Sequence, residues 1–257
     1  GAEARPLVGH FHEYLLRAGF PQCAQIEGIS QAQKLLREDI VDKVLKRDMT
    51  ALFGVRRVLE MEQTFLYWCL HDGGLLDIPD LCKNLGVKKP TANSFLDLLE
   101  RTHLIHVLPP FGYGKEILRA RYKVYLADAA ISPSVLLKGK SLLEDSTALG
   151  QAVETAFFKH VFTRFYQKSI GFSYWRGGKK DYEVDLIADV EGRLVPFEVK
   201  YRSSSTGASD LKGMTQFCME RNVSRGYVVT KELSDFGLLP LGVNSATTVL
   251  KIPAALA

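Results

Sequence analysis

The chain has no apolar run approaching the roughly eighteen residues that a membrane-spanning helix needs. Its opening residues, Gly1-Ala2-Glu3-Ala4-Arg5-Pro6, lack the basic-then-apolar pattern of a secretion signal. A soluble, cytoplasmic protein without a membrane partner is expected. Cysteine is sparse: Cys23, Cys69, Cys82 and Cys218 show neither Cys-x-x-Cys spacing nor a nearby His-x-x-x-His, so the pattern gives no support for a zinc site and predicts reduced, buried thiols. Neither sign of charge dominates, with 33 Lys and Arg against 29 Asp and Glu. The resulting net charge of +4 is compatible with a polyanionic partner without demanding one. A complete phosphate-binding loop is also missing. Ser134-Val135-Leu136-Leu137-Lys138-Gly139-Lys140-Ser141 ends in Gly-Lys-Ser, but Ser134 stands where the first glycine belongs and no buried apolar strand runs into the loop, which argues against nucleotide binding here.

What is present is a globular composition, 46% apolar and 24% charged, in 257 residues, enough for two or three small cores. The expected fold class is α/β, α+β overall, in three parts spanning residues 1–71, 72–148 and 149–257. In the first part, Phe11, Tyr14, Leu15 and Ala18 recur at helical spacing, and apolar residues resume from Ala32 through Leu70, predicting several packed helices. Asp39 with Lys43 and Asp42 with Lys46 stand at i,i+4, the mark of a solvated helix face.

In the second part, Leu75 to Val87 reads as a short helix ending at a glycine turn, and Pro90 to Arg101 as a second helix. Apolar runs at Leu104–Leu108 and Tyr122–Leu126 flank the turn Pro109-Pro110-Phe111-Gly112-Tyr113-Gly114. Helix, turn, helix and two strands predict a winged helix. Lys88, Lys89, Thr91 and Asn93, at the start of its second helix, are the candidate DNA contacts. A packing role for the winged helix, and structural roles for His103 and His106, are the alternatives.

The third part carries the chemistry. A helix from Gly150 to Tyr166 leads to strands near Phe172–Trp175, Glu183–Asp189 and Leu194–Tyr201. A helix at Leu211–Arg221, with Ser209 or Asp210 as its cap, and strands at Gly226–Thr230 and Thr247–Ile252 follow. Strand alternation puts Glu198 and Lys200 on one face, with Phe197 and Val199 on the other. With Asp185 alongside on the neighbouring strand, two carboxylates converge into a hard-oxygen site suited to Mg2+ or Mn2+. Such an ion activates an attacking water and offsets transition-state charge, while Lys200 orients the water or neutralises developing charge. Glu183 shares a face with Asp185 and could take its place. The same Glu-x-Lys pattern also fits a half-exposed edge strand whose lysine discourages pairing with other chains. Glu154 is either a solvated helix residue or a metal ligand facing the sheet.

The order of helix Glu154, strand Asp185, strand Glu198-x-Lys200 and helix Gln216, over residues 150–230, resembles the PD-(D/E)xK nuclease superfamily of restriction endonucleases, Holliday-junction resolvases and RecB-type nucleases. The resemblance implies a mixed sheet flanked by helices, with Glu154, Asp185 and Glu198 as metal ligands and Lys200 assisting the water. It places Gln216 at the later glutamine of the RecB-like branch. Val184 stands where the superfamily has its proline.

A second resemblance spans almost the whole chain. Phe11-His12-Glu13-Tyr14-Leu15-Leu16-Arg17-Ala18-Gly19-Phe20-Pro21, Asp39 to Asp48, Lys123 to Asp128, Tyr174-Trp175-Arg176 and Glu183-Val184-Asp185 are similar to the C-terminal half of predicted prokaryotic AAA+ ATPases. There an ATP-binding module precedes a winged helix and a nuclease-like domain. It implies ATP only through an upstream module, DNA as partner, a further protein partner and an oligomer in the full-length protein, and a Mg-dependent deoxyribonuclease as the candidate activity. The first residue is Gly1 rather than methionine, so a piece of a longer protein is expected. The alternatives are a non-cutting nuclease fold that binds DNA or docks a protein, and a winged-helix regulator.

Overall fold

Leu36, Met61, Phe65 and Trp68, all at most 1% exposed, mark where the first core forms in the computed structural model. The structure describes residues 5–48, 50–51, 57–112, 121–165, 168, 170–178, 182–242 and 247–257. Residues 1–4, the turn residues Tyr113 and Gly114 and the predicted helix end Tyr166 lie outside them. The chain divides into two compact units, one of residues 12–107 and 121–156, the other of residues 1–11, 108–120 and 157–257.

The first unit is built on the end of helix α1 (Arg5–Arg17), from His12 on, and on helices α2 (Pro21–Ala24), α3 (Ile29–Leu35), α4 (Leu36–Asp48), which is wound in wider π turns, and α5 (Val58–Leu70). On α4 the expected ion pairs form, Lys43 with Asp39 at 2.6 Å and Lys46 with Asp42 at 3.5 Å. Strand β1 (Gly74–Leu75), helices α6 (Ile78–Leu85) and α7 (Lys89–Arg101) and strands β2 (Ile105–Leu108) and β3 (Lys123–Leu126) follow. The sheet order β1-β3-β2 completes a winged-helix-like arrangement. The turn between α6 and α7 is Gly86 at φ 63°, a left-handed C-cap that favours glycine.

Leu75 corrects the sequence reading, which placed it in a helix. It pairs with Lys123, and α6 starts only after Asp77, whose carboxylate accepts the Asp80 N–H at 3.0 Å. Two residues of strand are too few to show alternation. The helical segment and the winged-helix segment share one core, from Ala18 through Phe65 to Leu99 and Ile131. The near-match to a phosphate loop is a short helix α8 (Ile131–Val135) and a 3-10 turn (Gly139–Leu143).

The second unit holds the end of helix α9 (Ser146–Phe165), from Phe157 on, and a six-stranded sheet. Its strands are β4 (Ile170–Arg176), β5 (Glu183–Val190), β6 (Arg193–Lys200), β7 (Arg225–Thr230), β8 (Gly237–Pro240) and β9 (Thr248–Pro253), in the order β4-β5-β6-β7-β9-β8. The meander β4-β5-β6 is antiparallel, and β6, β7 and β9 run parallel. Helix α10 (Lys212–Arg221) makes the crossover from β6 to β7.

Phe157 of α9 packs on Phe197 at 5.5 Å between ring centroids, and Phe197 stacks on Tyr227 at 5.3 Å. Beneath α10, Met214 and Phe217 join Ile187, Val228 and Val249 in a second core. Pro109 to Phe111, read from the sequence as the start of the wing turn, instead hydrogen-bond through the backbone to Tyr174 of β4. Strand β8 escaped sequence reading because its alternate residues face solvent, with Leu238 71% exposed. Asp210 was expected to cap α10. Its carboxylate instead accepts the Gly207 N–H at 2.9 Å, ahead of the helix.

Candidate acid–lysine site

Strand β6 lies between β5 and β7, so the edge-strand reading of Glu198-Val199-Lys200 is overturned. Glu198 is only 5% exposed. A carboxylate buried that deeply in an inner strand needs a charged or hydrogen-bonding partner. One partner is Lys200, two residues along the same face, with Nζ 2.6 Å from Glu198 Oε1.

Asp185 approaches from β5. The β5–β6 register runs to Leu186 opposite Phe197, and one step beyond it Asp185 Oδ2 accepts the Val199 N–H at 2.9 Å. The Asp185 carboxylate therefore lies against the Glu198–Val199 peptide. Helix α10 fixes this end of β5: a Cβ on Gly213 would come within 2.3 Å of Glu183 O and 2.4 Å of Glu183 N. Gly213 is needed for that closeness of backbone to backbone rather than for an unusual φ.

Beyond Lys200 the loop to α10 is pinned by residues that sequence reasoning did not single out. Asp235, 6% exposed, accepts from Ser205 Oγ at 2.5 Å, the Thr206 N–H at 3.2 Å and Lys251 Nζ at 3.0 Å. Hydrogen bonding outweighs burial and holds the Asp235 carboxyl below the usual carboxylate range. Asp235 is a lone acid in a short connection, so no periodicity or spacing could have revealed it.

Two other proposed site residues, Glu154 and Gln216, have partners of their own. Glu154 belongs to the first unit, where its Oε1 accepts from Tyr125 Oη at 2.6 Å and Lys123 Nζ at 3.2 Å. Beside it Asp72 is buried, 7% exposed, accepting the Leu126 N–H at 2.8 Å and the Thr155 Oγ1–H at 2.7 Å. Gln216 donates to Glu220 Oε1 at 2.6 Å along the outside of α10. Among the described residues, no three His, Cys, Asp or Glu side chains gather into a group that could hold a metal ion. The structure thus brings Asp185, Glu198 and Lys200 together within one unit and gives Glu154 and Gln216 other partners.

At the start of α7, Lys88, Lys89 and Asn93 are exposed and Thr91 is half-buried. None of the two lysine side chains or the asparagine is spent on a hydrogen bond or ion pair with another described residue. They stand where a winged helix would present them. No helix among the described residues is long and apolar enough to cross a membrane.

Residues 149–252 match DUF4143, a domain of unknown function. Two curated relatives, the uncharacterized proteins Rv2008c of Mycobacterium tuberculosis and Mb2031c of Mycobacterium bovis, are each 26% identical over 193 residues. That match takes in 74% of this chain and 42% of each relative, so the chain spans less than half their length. Among solved structures, MepR, a transcription regulator of the Staphylococcus aureus multidrug efflux pump MepA, matches 52% of this chain and 95% of its own at 21% identity. Its TM-score of 0.24 is too low to carry an argument. The match that covers more than half of the chain, residues 8–142, is to a domain of unknown function, and by it the chain belongs to the DUF8612 family.

Proposed function

We propose that this chain is the DNA-binding C-terminal part of an AAA+ type ATPase, and that its second unit is a PD-(D/E)xK-like domain that hydrolyses phosphodiester bonds at Asp185, Glu198 and Lys200. The observation that carries the reading is the burial of Glu198 on an inner strand with Lys200 Nζ at 2.6 Å and Asp185 against the adjoining peptide. A structural salt bridge alone gives no reason for the second carboxylate. The order α9, antiparallel β4-β5-β6, α10, parallel β7 supports the same reading, as does the DUF4143 match. ATP would act through a module outside these residues.

Asp185 and Glu198 offer hard oxygen donors on adjoining strands, which fits Mg2+ or Mn2+ in the mode that uses two carboxylates, several waters and a substrate phosphate. Such an ion would supply an activated water and a counter-charge for the phosphate. Glu198 and Asp185 would hold it, and Asp185 also fixes the Glu198–Val199 peptide. Lys200 Nζ would place a positive charge beside the scissile phosphate and orient the attacking water. Lys88, Lys89, Thr91 and Asn93 would meet backbone phosphates or base edges.

The test is cleavage of linear duplex DNA by the full chain with Mn2+. Activity that vanishes in Glu198→Gln and in Lys200→Met supports the reading, and a parent chain that leaves every duplex and single strand intact with Mg2+ or Mn2+ removes it. A second reading, a nuclease fold that binds without cutting, is favoured by one observation: Glu154, the third ligand the family resemblance implies, is held by Lys123 and Tyr125.

A further inference from the structure

At the end of the sheet opposite Lys200, β6 and β7 begin with arginines, Arg193 and Arg225, and α10 ends with Arg221. All three line one open cleft of about 970 Å³. The Phe197–Tyr227 register, continued along the strands, sets Arg225 beside Val195. Arg193 then lies two residues, about 7 Å, further out on a strand about 5 Å away. Arg221 is steadied by its guanidinium lying 5.2 Å from the centre of the Phe111 ring.

Charge in the cleft is not balanced internally. Glu191 is the one acid among the lining residues, so three arginines less one carboxylate leave two positive charges. The side chains of Arg193 and Arg225 form no ion pair or hydrogen bond with any described residue. Arg57 pairs with Glu60 and Arg101 with Asp97 on the surface of the chain, whereas Arg193 and Arg225 have no such carboxylate among the described residues. Arginines gathered on a concave wall without acids form a site awaiting an anion, and a planar guanidinium grips phosphate oxygens in pairs. Asn222, Ser224 and Tyr227 add uncharged polar groups to the same wall.

We propose that this cleft binds the phosphate backbone of nucleic acid, through Arg193, Arg221 and Arg225, as a contact separate from the acid–lysine cluster. It rests on the reading that nucleic acid is the partner, but not on cleavage. Strand β6 puts the two features seven residues, about 23 Å, apart along its length. The cleft is therefore a holding contact for a duplex longer than the few nucleotides at the cluster. Phosphate is favoured by the three guanidinium forks, whose paired donors match phosphate oxygens.

The test uses the full chain and a fluorescein-labelled 20-base-pair duplex without divalent metal, titrated by anisotropy across a range of NaCl. A variant with Arg193→Gln, Arg221→Gln and Arg225→Gln should bind at least about tenfold more weakly at low salt. Its slope of log affinity against log salt should fall by about 2 to 3, near 0.9 for each lost phosphate contact. The single variants Arg193→Gln and Arg225→Gln, at exposed positions that leave the fold alone, should each lower the slope by about 1. A triple lysine variant, which keeps the charge, should keep most of the slope. Unchanged affinity and slope in the glutamine variants overturn the proposal, as does loss of binding to poly-glutamate in place of duplex. Duplex binding by the arginine variants is read without metal and cleavage by the parent chain with Mn2+, so the two readings fail separately.

Discussion

Lys200 Nζ sits 2.6 Å from Glu198 Oε1, with the two side chains 29% and 6% exposed on one face of an inner strand. The ammonium occupies the kind of position a metal cation would take beside the buried carboxylate. Lys200→Met should therefore have two opposite effects. It should destabilise the chain by about 2–4 kcal/mol, because a buried carboxylate loses its counter-charge. It should also tighten Mn2+ binding, because the ion no longer competes with the lysine, while cleavage is lost. Urea denaturation and calorimetric Mn2+ titration check the two arms, and weaker Mn2+ binding in Lys200→Met would count against the shared position.

A companion prediction concerns Glu154. Lys123 is 5% exposed at its side chain and reaches Glu154 at 3.2 Å. Glu154→Ala would strand that ammonium, for a loss of about 3–5 kcal/mol. Glu154→Gln keeps an acceptor for Tyr125 and should lose less. If Glu154 is structural, Mn2+ affinity in Glu154→Gln equals that of the parent, measured by the same titration. A tenfold loss of affinity at unchanged stability would restore it as a ligand.

Gly213→Ala should lower stability by about 3 kcal/mol or more, since the new methyl meets the Glu183 backbone at 2.3 Å and backbone cannot rotate aside. The shift falls two residues from Asp185, so Mn2+ affinity should drop along with the melting temperature. A melting temperature within a degree or two of the parent would show that α10 can lift off β5 freely.

Much of this was legible in the residues, and the reason is periodicity. Strands β4 to β7 were found because their apolar runs are bounded by turn residues, and the α6–α7 turn because Gly86 needs a left-handed backbone. The placement of Glu198 and Lys200 on one face, with Asp185 on the neighbouring strand, was legible because spacing along strands carries over from sequence to structure. The sequence could not say that β6 is an inner strand, since strand order is set by long-range pairing. It could not show that Lys123 would claim Glu154, since that pair is 31 residues apart and depends on how α9 meets β3. Asp72 and Asp235, both buried and hydrogen-bonded, lie in connections where no pattern announces them.

Asp72 gives the last prediction. Burial pushes its carboxyl up to about 7, with the nearby Glu154 charge adding to the rise and hydrogen bonds from the Leu126 N–H, Thr155 and the Gly73 N–H opposing it. An acid whose pKa is higher folded than unfolded binds a proton on folding. The stability it contributes is full below the unfolded value of 3.8 and is lost as pH rises through about 7. Asp72→Asn keeps an acceptor for the Leu126 N–H and cannot titrate. The stability of the parent relative to Asp72→Asn, from urea melts between pH 4.5 and 8.5, should decline across that window and level off above it. A difference that stays flat with pH would mean that Asp72 is ionised throughout, with Lys123 close enough to balance Glu154 and Asp72 together.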